Sequence, residues 1–444
     1  MAMLLIGNGN LVTRDPANPF LSDGCVAAEG PRIVEVGPTG ELRSRHPEAT
    51  FLNARGGLIH PGFINAHTHF YSTFSRGFCG KGDTPPAKSF TQVLERLWWR
   101  LDRALTREDV RYSALIALVD AIRRGCTTLI DHHASPHAVP GSLAEIAEAA
   151  KRTGLACCLS YEVSDRDGTE IMEQGIRENM DFFRHARAAE DPLLAGTFGL
   201  HASMTLSDAT LARCAEAGAG ETGVHVHVAE GPEDEPDSER KYGMRILERF
   251  RKFGLLGKRS IAVHCIHVNE AEREILAETG TAAVHNPESN MGNAVGTAPV
   301  PAMLDRGILV GLGTDGYVSD MLRSYSLANA LRKHASGNPD AGGEIPRMLF
   351  ENNGTIADRY FVLPRGRLAP GCSADVAVLD YRPPTEISEK NVNGHLLFGP
   401  GAGSVVSTVC AGRVLMKDRE LIGLDEAEIA AKARECARRV WDRF

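Results

Sequence analysis

The stretch Ile59-His60-Pro61-Gly62-Phe63-Ile64-Asn65-Ala66-His67-Thr68-His69 decides the reading of the fold. Pro-Gly leads an apolar run straight into two histidines at i and i+2, and side chains two apart on a strand point to the same side. Both imidazoles can therefore reach one metal ion. Outward from this run, short apolar segments recur at 127–131, 155–161, 195–200, 223–228, 260–266, 281–284 and 308–312. With 58–66 they make eight candidate strands, most followed by a helical pattern, which predicts a parallel TIM-type (β/α)8 barrel. Thr106 and Asp109 bracket one helical first turn, Ser142 and Glu145 read as a capping box, and Gly125 and Gly154 read as stops.

The ends of the chain have another rhythm. Short β segments at 4–6, 25–28, 32–36 and 50–52 are separated by turn-formers, and similar segments return at 375–380 and 407–411. This predicts a small β-sandwich domain built from residues 1–58 and 366–423, beside a barrel of 59–365 and a terminal helix within 424–444. In that helix Ile429, Ala433, Cys436, Ala437, Val440 and Trp441 form one stripe.

Composition narrows the function classes. A net charge of −8 argues against phosphate-backbone binding, and no apolar run approaches the roughly 20 residues that span a bilayer. The start lacks a basic segment followed by a long apolar one, so no signal peptide is read. Ten scattered cysteines with no Cys-x-x-Cys pair suit reduced thiols in the cytoplasm. The expected partner is a small-molecule substrate, with neither nucleic acid nor membrane, and a homodimer is admissible.

The histidines carry the chemistry. Of 16, ten fall within or just past candidate strands: 67, 69, 132, 133, 201, 225, 227, 264, 267 and 285. In a barrel those strand ends converge on the face that carries the active site. A lone histidine is more often a satisfied core residue, but ten on one rim is more than packing asks for. His227, in His225-Val226-His227-Val228-Ala229-Glu230, can add a third imidazole, and Glu230 lies where it could manage protons without being a ligand. His225 faces the same side one layer lower, where it would support a ligand rather than be one. Asp315, in Gly313-Thr314-Asp315-Gly316, can complete a site of three histidines and one carboxylate.

These pieces arrive in a familiar order. The chain resembles the amidohydrolase superfamily, in its aminohydrolase and chlorohydrolase branch, over essentially its full length. The matching residues are Pro61 to His69, Gly199-Leu200-His201-Ala202, His227 to Glu230, Val263-His264-Cys265-Ile266-His267, His285-Asn286-Pro287-Glu288-Ser289-Asn290-Met291 and Gly313 to Gly316. The closing signature is Gly366-Arg367-Leu368-Ala369-Pro370-Gly371 followed by 374–380. A closer likeness is to the SsnA group of aminohydrolases, carried by residues 97–105, 130–136 and Ser319-Asp320-Met321. The resemblance implies that His67, His69, His227 and Asp315 bind one divalent metal ion, Zn2+ or Fe2+, and that Glu230, His264 and Asp315 are catalytic. It places His201 near the substrate. Binuclear relatives add a carboxylated lysine at a barrel strand end, and 155–165 and 195–206 contain none.

The reaction so implied is hydrolytic deamination of a nitrogen heterocycle, purine-like or pterin-like. A water on such a metal would drop from pKa 15.7 toward roughly 7–9, with Glu230 relaying protons and His264 holding the developing oxyanion. Ser72 and Arg76 follow the first metal pair closely enough to line the mouth, and Asn286 and Asn290 are further candidates for substrate contact. Leu94, Leu97, Trp98 and Leu101 form a helical stripe that reads as core or interface rather than a substrate clamp. Two other classes compete: dechlorination or cyclic amide hydrolysis at the same site, separable by ammonia release, and a non-catalytic barrel scaffold. The scaffold has no use for both ligands and a proton shuttle.

Overall fold

The computed structural model describes residues 3–78 and 85–444 of the 444-residue chain. The barrel strands are β1 Phe63–Thr68, β2 Cys126–Asp131, β3 Ala156–Leu159, β4 in two pieces, Leu194–Gly196 and Phe198–Ala202, β5 Val224–Val228, β6 Ile261–His264, β7 Ala282–His285 and β8 Val310–Leu312. Their ladders are all parallel. Every residue of these strands is buried, which explains the continuous apolar runs in the sequence.

Two joints close the ring. The first piece of β4 pairs with β3 and the second with β5, and a parallel bridge from Val163 to Leu200 carries the sheet across. β8 meets β1 where Thr68 bridges Asp315, and the His67 carbonyl accepts from Thr314 N at 3.0 Å and Asp315 N at 3.1 Å. Asn353 stitches this seam from outside the ladder. Its Nδ2 donates to Ile64 O at 2.7 Å and Leu312 O at 2.8 Å, and its Oδ1 accepts from Leu312 N at 2.8 Å. Such a fully used buried amide leaves no polar group unpaired where two short strands meet.

Both chain ends enter one nine-stranded sheet. Its strands are Met3–Val12, Phe20–Glu29, Arg32–Pro38, Thr50–Asn53 and Leu58–Pro61 from the beginning, and Val376–Leu379, Val405–Cys410, Arg413–Lys417 and Glu420–Leu421 from the end. The two sets join where Leu58–Pro61 runs antiparallel to Val376–Leu379, with Ile59 opposite Val378. The candidate strand 58–66 is therefore two strands in two sheets. Gly62 makes the break possible because a Cβ there would lie 2.2 Å from the Thr127 side chain.

Helix boundaries follow the expected chemistry at one site and not at another. Thr106 and Asp109 form a reciprocal capping box on the helix Arg107–Arg123. Ser142, however, lies inside the helix Ser142–Thr153 and caps nothing with Glu145. Glu178 from the helix Thr169–Ala189 supplies the cap instead, accepting from Gly141 N at 2.9 Å and Leu143 N at 2.8 Å. A carboxylate at the positive end of the helix takes the place that the local motif suggested for serine. The terminal helix Glu426–Arg443 buries Ile429, Ala433, Cys436 and Val440, and Trp441 donates to Phe74 O at 2.7 Å. No described helix is long and apolar enough to cross a membrane. The nine described cysteines are free and buried, and Cys79 lies outside the described residues.

Candidate active site

The barrel rim brings His67, His69, His227, His264 and Asp315 together. His69 Nε2 lies 3.0 Å from Asp315 Oδ1 and 3.2 Å from His227 Nε2, while His67 Nε2 lies 3.4 Å from the same carboxylate oxygen. One ligand atom from each of His67, His227, His264 and Asp315 falls within 4.8 Å of the others, and His67, His69, His132 and His227 form an overlapping group.

The backbone around this cluster is bent to aim it. Ala229 (φ 47°), His264 (φ 68°), Cys265 (φ 51°) and Asp315 (φ 55°) are non-glycine residues in left-handed conformation just at or past β5, β6 and β8. Such residues cost roughly 1–3 kcal/mol each and persist where the surroundings hold them.

Each ring is fixed from behind. His69 Nδ1 donates to His132 O at 2.5 Å, His227 Nδ1 to His201 O at 2.9 Å and His264 Nδ1 to Asn290 Oδ1 at 2.9 Å. His67 Nδ1 meets His225 Nε2 at 2.9 Å. A carbonyl only accepts, so the Nδ1 protons of His69 and His227 are committed and their Nε2 atoms converge on one spot. His67 Nε2 and His264 Nε2 are buried with no hydrogen-bond partner among the described residues. Buried lone pairs crowded around a carboxylate call for a cation. Burial works against it, but the hydrogen bond and charge of Asp315, with Glu162 behind, raise His69 to about 9, which expresses the same demand for positive charge. The donor set of imidazoles and one carboxylate fits a divalent transition metal.

Asp315 is held well below the usual carboxylate range, burial notwithstanding, by the His67 and His69 imidazoles 3.4 and 3.0 Å from its Oδ1. Its Oδ2 accepts from Ser289 Oγ. Glu230 is the opposite case. Burial first, then the charges of Asp315 and Asp234, push it well above its ordinary value. Its Oε2 stands 3.2 Å from His264 Nε2, and its backbone N donates to Asp234 Oδ2 at 2.9 Å. The acidic run 233–235 does not make Glu230 a surface carboxylate, since Glu230 is only 6% exposed and Asp234 and Glu235 are buried too. Two carboxylates beside one cluster are thus pushed in opposite directions, an arrangement typical of sites that move protons.

Above the cluster opens a cavity of about 390 Å³, a size suited to a small heterocycle. Glu230, Asp315, His69, His201 and His227 line it on the rim side, and Phe90, Leu94, Leu97, Trp98, Trp99 and Met204 form an apolar wall. The stripe read as core is thus divided: Leu101 is buried, while Leu94, Leu97 and Trp98 face the cavity. Arg76 lines the cavity, with its guanidinium paired to Asp120. Ser72, Asn286 and Asn290 do not lie on the wall, contrary to expectation. Ser72 Oγ is spent on the His69 and Gly316 carbonyls at 2.7 and 2.8 Å, Asn290 positions His264, and Asn286 is fully buried behind Gly313. His225 supports His67, His133 turns to Ser135 Oγ at 2.8 Å, and His267 to Val295 O at 3.0 Å.

Sequence reasoning passes over Glu162, Asp102 and Arg166. Glu162, just past β3, lies 3.3 Å from His132 Nδ1 and 3.4 Å from His69 Nδ1 and lines the cavity. Although burial opposes it, the charges of His201, His69 and His227 lower its pKa. A carboxylate at a strand end was the available signal, but the absence of lysine in 155–165 directs attention away from it. Asp102 and Arg166 come from segments with no strand pattern and pair at 2.7 Å.

Residues 58–415 match the amidohydrolase family model, and residues 24–49 match an imidazolonepropionase-like composite domain of bacteria. A 5'-deoxyadenosine deaminase of Methanosarcina mazei is 30% identical over 443 residues, covering 98% of each chain. A 5-methylthioadenosine/S-adenosylhomocysteine deaminase of Pelotomaculum thermopropionicum is 30% identical over 451 residues, covering 100% of each. Among solved structures, an adenosine deaminase from Xanthomonas campestris with bound zinc superposes with a TM-score of 0.86 at 26% identity, over 99% of this chain and 98% of that one.

Proposed function

The chain belongs to the amidohydrolase family, and from that premise we propose that His67, His69, His227 and Asp315 hold one divalent metal ion at which an amino group is hydrolysed from a purine-sized or pterin-sized heterocycle. The observation that carries the reading is the convergence of His67, His69, His227 and His264 Nε2 atoms on Asp315, with Glu230 3.2 Å from His264. Zinc or iron suits so many imidazoles better than magnesium does. When bound, the ion supplies a Lewis acid and a water acidified toward neutral pH.

The chain's own groups do the rest. The apolar wall from Phe90 to Trp99 holds the ring flat over the rim and excludes bulk water. Glu230 takes a proton from the attacking water and gives it to the ring nitrogen beside the reacting carbon, which makes that carbon more electrophilic. The water oxygen bonds to the carbon, the carbon–nitrogen bond breaks, and Asp315 passes the second water proton to the leaving amine, which departs as ammonia. His264, its Nδ1 proton committed to Asn290, accepts from the attacking water at Nε2 and so aims the oxygen at the carbon.

The same reading makes the sheet residues 1–58 and 366–423 one β-sandwich domain beside a barrel of 59–365, with 424–444 as an outer helix. It also places the protein in a reducing cytoplasm, a placement supported by the free, buried cysteines.

The test is an ammonia-release screen of metal-loaded protein over purines, pterins, pyrimidines and triazines, with a chelated control. Ammonia from at least one class, abolished by chelation, is the expected result. Silence across all four from fully loaded protein sinks the deaminase reading.

A further inference from the structure

The cavity contains a buried charge that the proton relay leaves unused. Glu162 is 3% exposed, and the groups within ion-pair distance of it among the described residues are all imidazoles: His69, His132 and His201. Its Oε1 makes no hydrogen bond: the Nδ1 proton of His69 goes to the His132 carbonyl, and His132 Nδ1, 3.3 Å away, is itself unpaired. The Arg166 guanidinium gives its Nη2 to Asp102 at 2.7 Å and keeps Nη1 unpaired, outside ion-pair distance of Glu162. Glu162 therefore faces the cavity with imidazoles as its close partners and an oxygen that no hydrogen bond satisfies, a costly arrangement unless something else donates to it.

Its neighbour on the wall is an acceptor too. Thr205 Oγ1 donates to Ala202 O at 3.1 Å, so it accepts from His201 Nδ1 at 2.7 Å, and the proton of His201 is on that nitrogen. His201 Nε2 then presents a lone pair, 3.8 Å from Glu162 Oε2. Two acceptors side by side match a ligand edge that carries two donors.

We propose that Glu162 and His201 form a subsite that recognises N–H donors on the substrate ring, so that the enzyme selects heterocycles with an unsubstituted ring N–H over ring-substituted nucleosides. Resting on the deaminase reading, it adds the class of ring. The donors belong to the ring rather than to an appended group because Glu162 lies on the floor of the pocket, 3.4 Å from the ligand His69, where the reacting ring itself must sit. A second metal ion is the competing occupant, since Glu162, His201 and His227 also offer donors within 4.8 Å of one another. His227 has a single free nitrogen, already turned to His69 at 3.2 Å, which leaves such an ion only two protein ligands.

The experiment compares guanine, pterin and isocytosine with adenosine and 5'-deoxyadenosine on metal-loaded wild-type protein and on Glu162→Gln, following ammonia release, metal content and binding by quenching of the Trp98 and Trp99 fluorescence. Gln keeps the size but swaps one acceptor for a donor. The expected result is a preference for the N–H class of at least about 10²-fold in kcat/KM. In the variant KM for that class rises about 10- to 100-fold with kcat within a few-fold, and the metal stays at one equivalent. A preference for the two nucleosides, or binding that is indifferent to Glu162→Gln, overturns the subsite. Two metal equivalents, one lost in the variant, overturn it in favour of a second ion. Binding that depends on Glu162 without ammonia from any compound upholds the subsite and fails the deaminase reading instead.

Discussion

His67, His69, His227 and His264 stand at the ends of β1, β5 and β6 with each ring held from behind by a hydrogen bond. Phe90, Leu94, Leu97 and Trp98, which face them across the cavity, come from a run of short helical turns between Phe90 and Ala104 with no strand beneath it. The floor needs placement within a fraction of an ångström, so it is built on strands and braced by bonds that commit every ring. The wall needs only apolar surface of suitable shape, which many sequences provide. Damage to the floor should therefore appear in metal content and chemical rate, and damage to the wall in KM.

The largest effect expected is from the floor itself. His227→Ala should lose bound metal by elemental analysis and at least about 10³-fold in kcat, since a metal worth several kcal/mol is forfeited. Full activity with metal retained would remove His227 from the ligand set and blur the distinction between floor and wall. Next is Glu230→Gln, which should keep its metal and melting temperature and lose at least about 10²-fold in kcat. An unchanged kcat would leave the raised pKa of this buried carboxyl without a use.

How much of this was legible follows the same division. That His67, His69, His227 and Asp315 come together could be read because strand ends carry a period of two and a turn glycine beside them. The eight barrel strands could be read because strands buried on both faces are continuous apolar runs, although 58–66 conceals a change of sheet at Gly62 that such a run does not register. The Glu178 cap, the Asp102–Arg166 pair and the wall were not legible, because each joins residues whose proximity is set by tertiary packing: Glu178 lies 37 residues from the Gly141 amide it caps, and Arg166 lies 64 from Asp102. Ser72 and Asn290 lay close to the right place in the sequence, but their hydrogen bonds turn them to the backbone and to His264.

A smaller effect tests the bracing. His225→Leu removes the 2.9 Å bond to His67 without touching the substrate cavity, and should weaken metal affinity about 10- to 100-fold in a chelator competition. Affinity equal to wild type would show that His67 needs no support. The smallest effect belongs to the wall. Trp98→Ala should raise KM by up to about tenfold and leave kcat and metal content near wild type, since one aromatic contact is worth about 1 kcal/mol. A fall in kcat of the same size would mean that the wall also aligns the reacting ring, and the two regions would be less separate than their construction suggests.

The seam between β1 and β8 has a consequence in time. Asn353 reaches back 289 residues to Ile64, and Thr68 Oγ1 reaches 247 residues to Asp315 O. Contacts this distant in sequence form late, after most of the loop entropy has been lost. A chain emerging from the ribosome exposes His67 and His69 before more than three-quarters of the molecule exists. The carboxylate that completes their cluster arrives with the last barrel strand, and the asparagine that locks the seam arrives later still. Metal capture is thus tied to ring closure, and a truncated or stalled chain carries the histidines without the site.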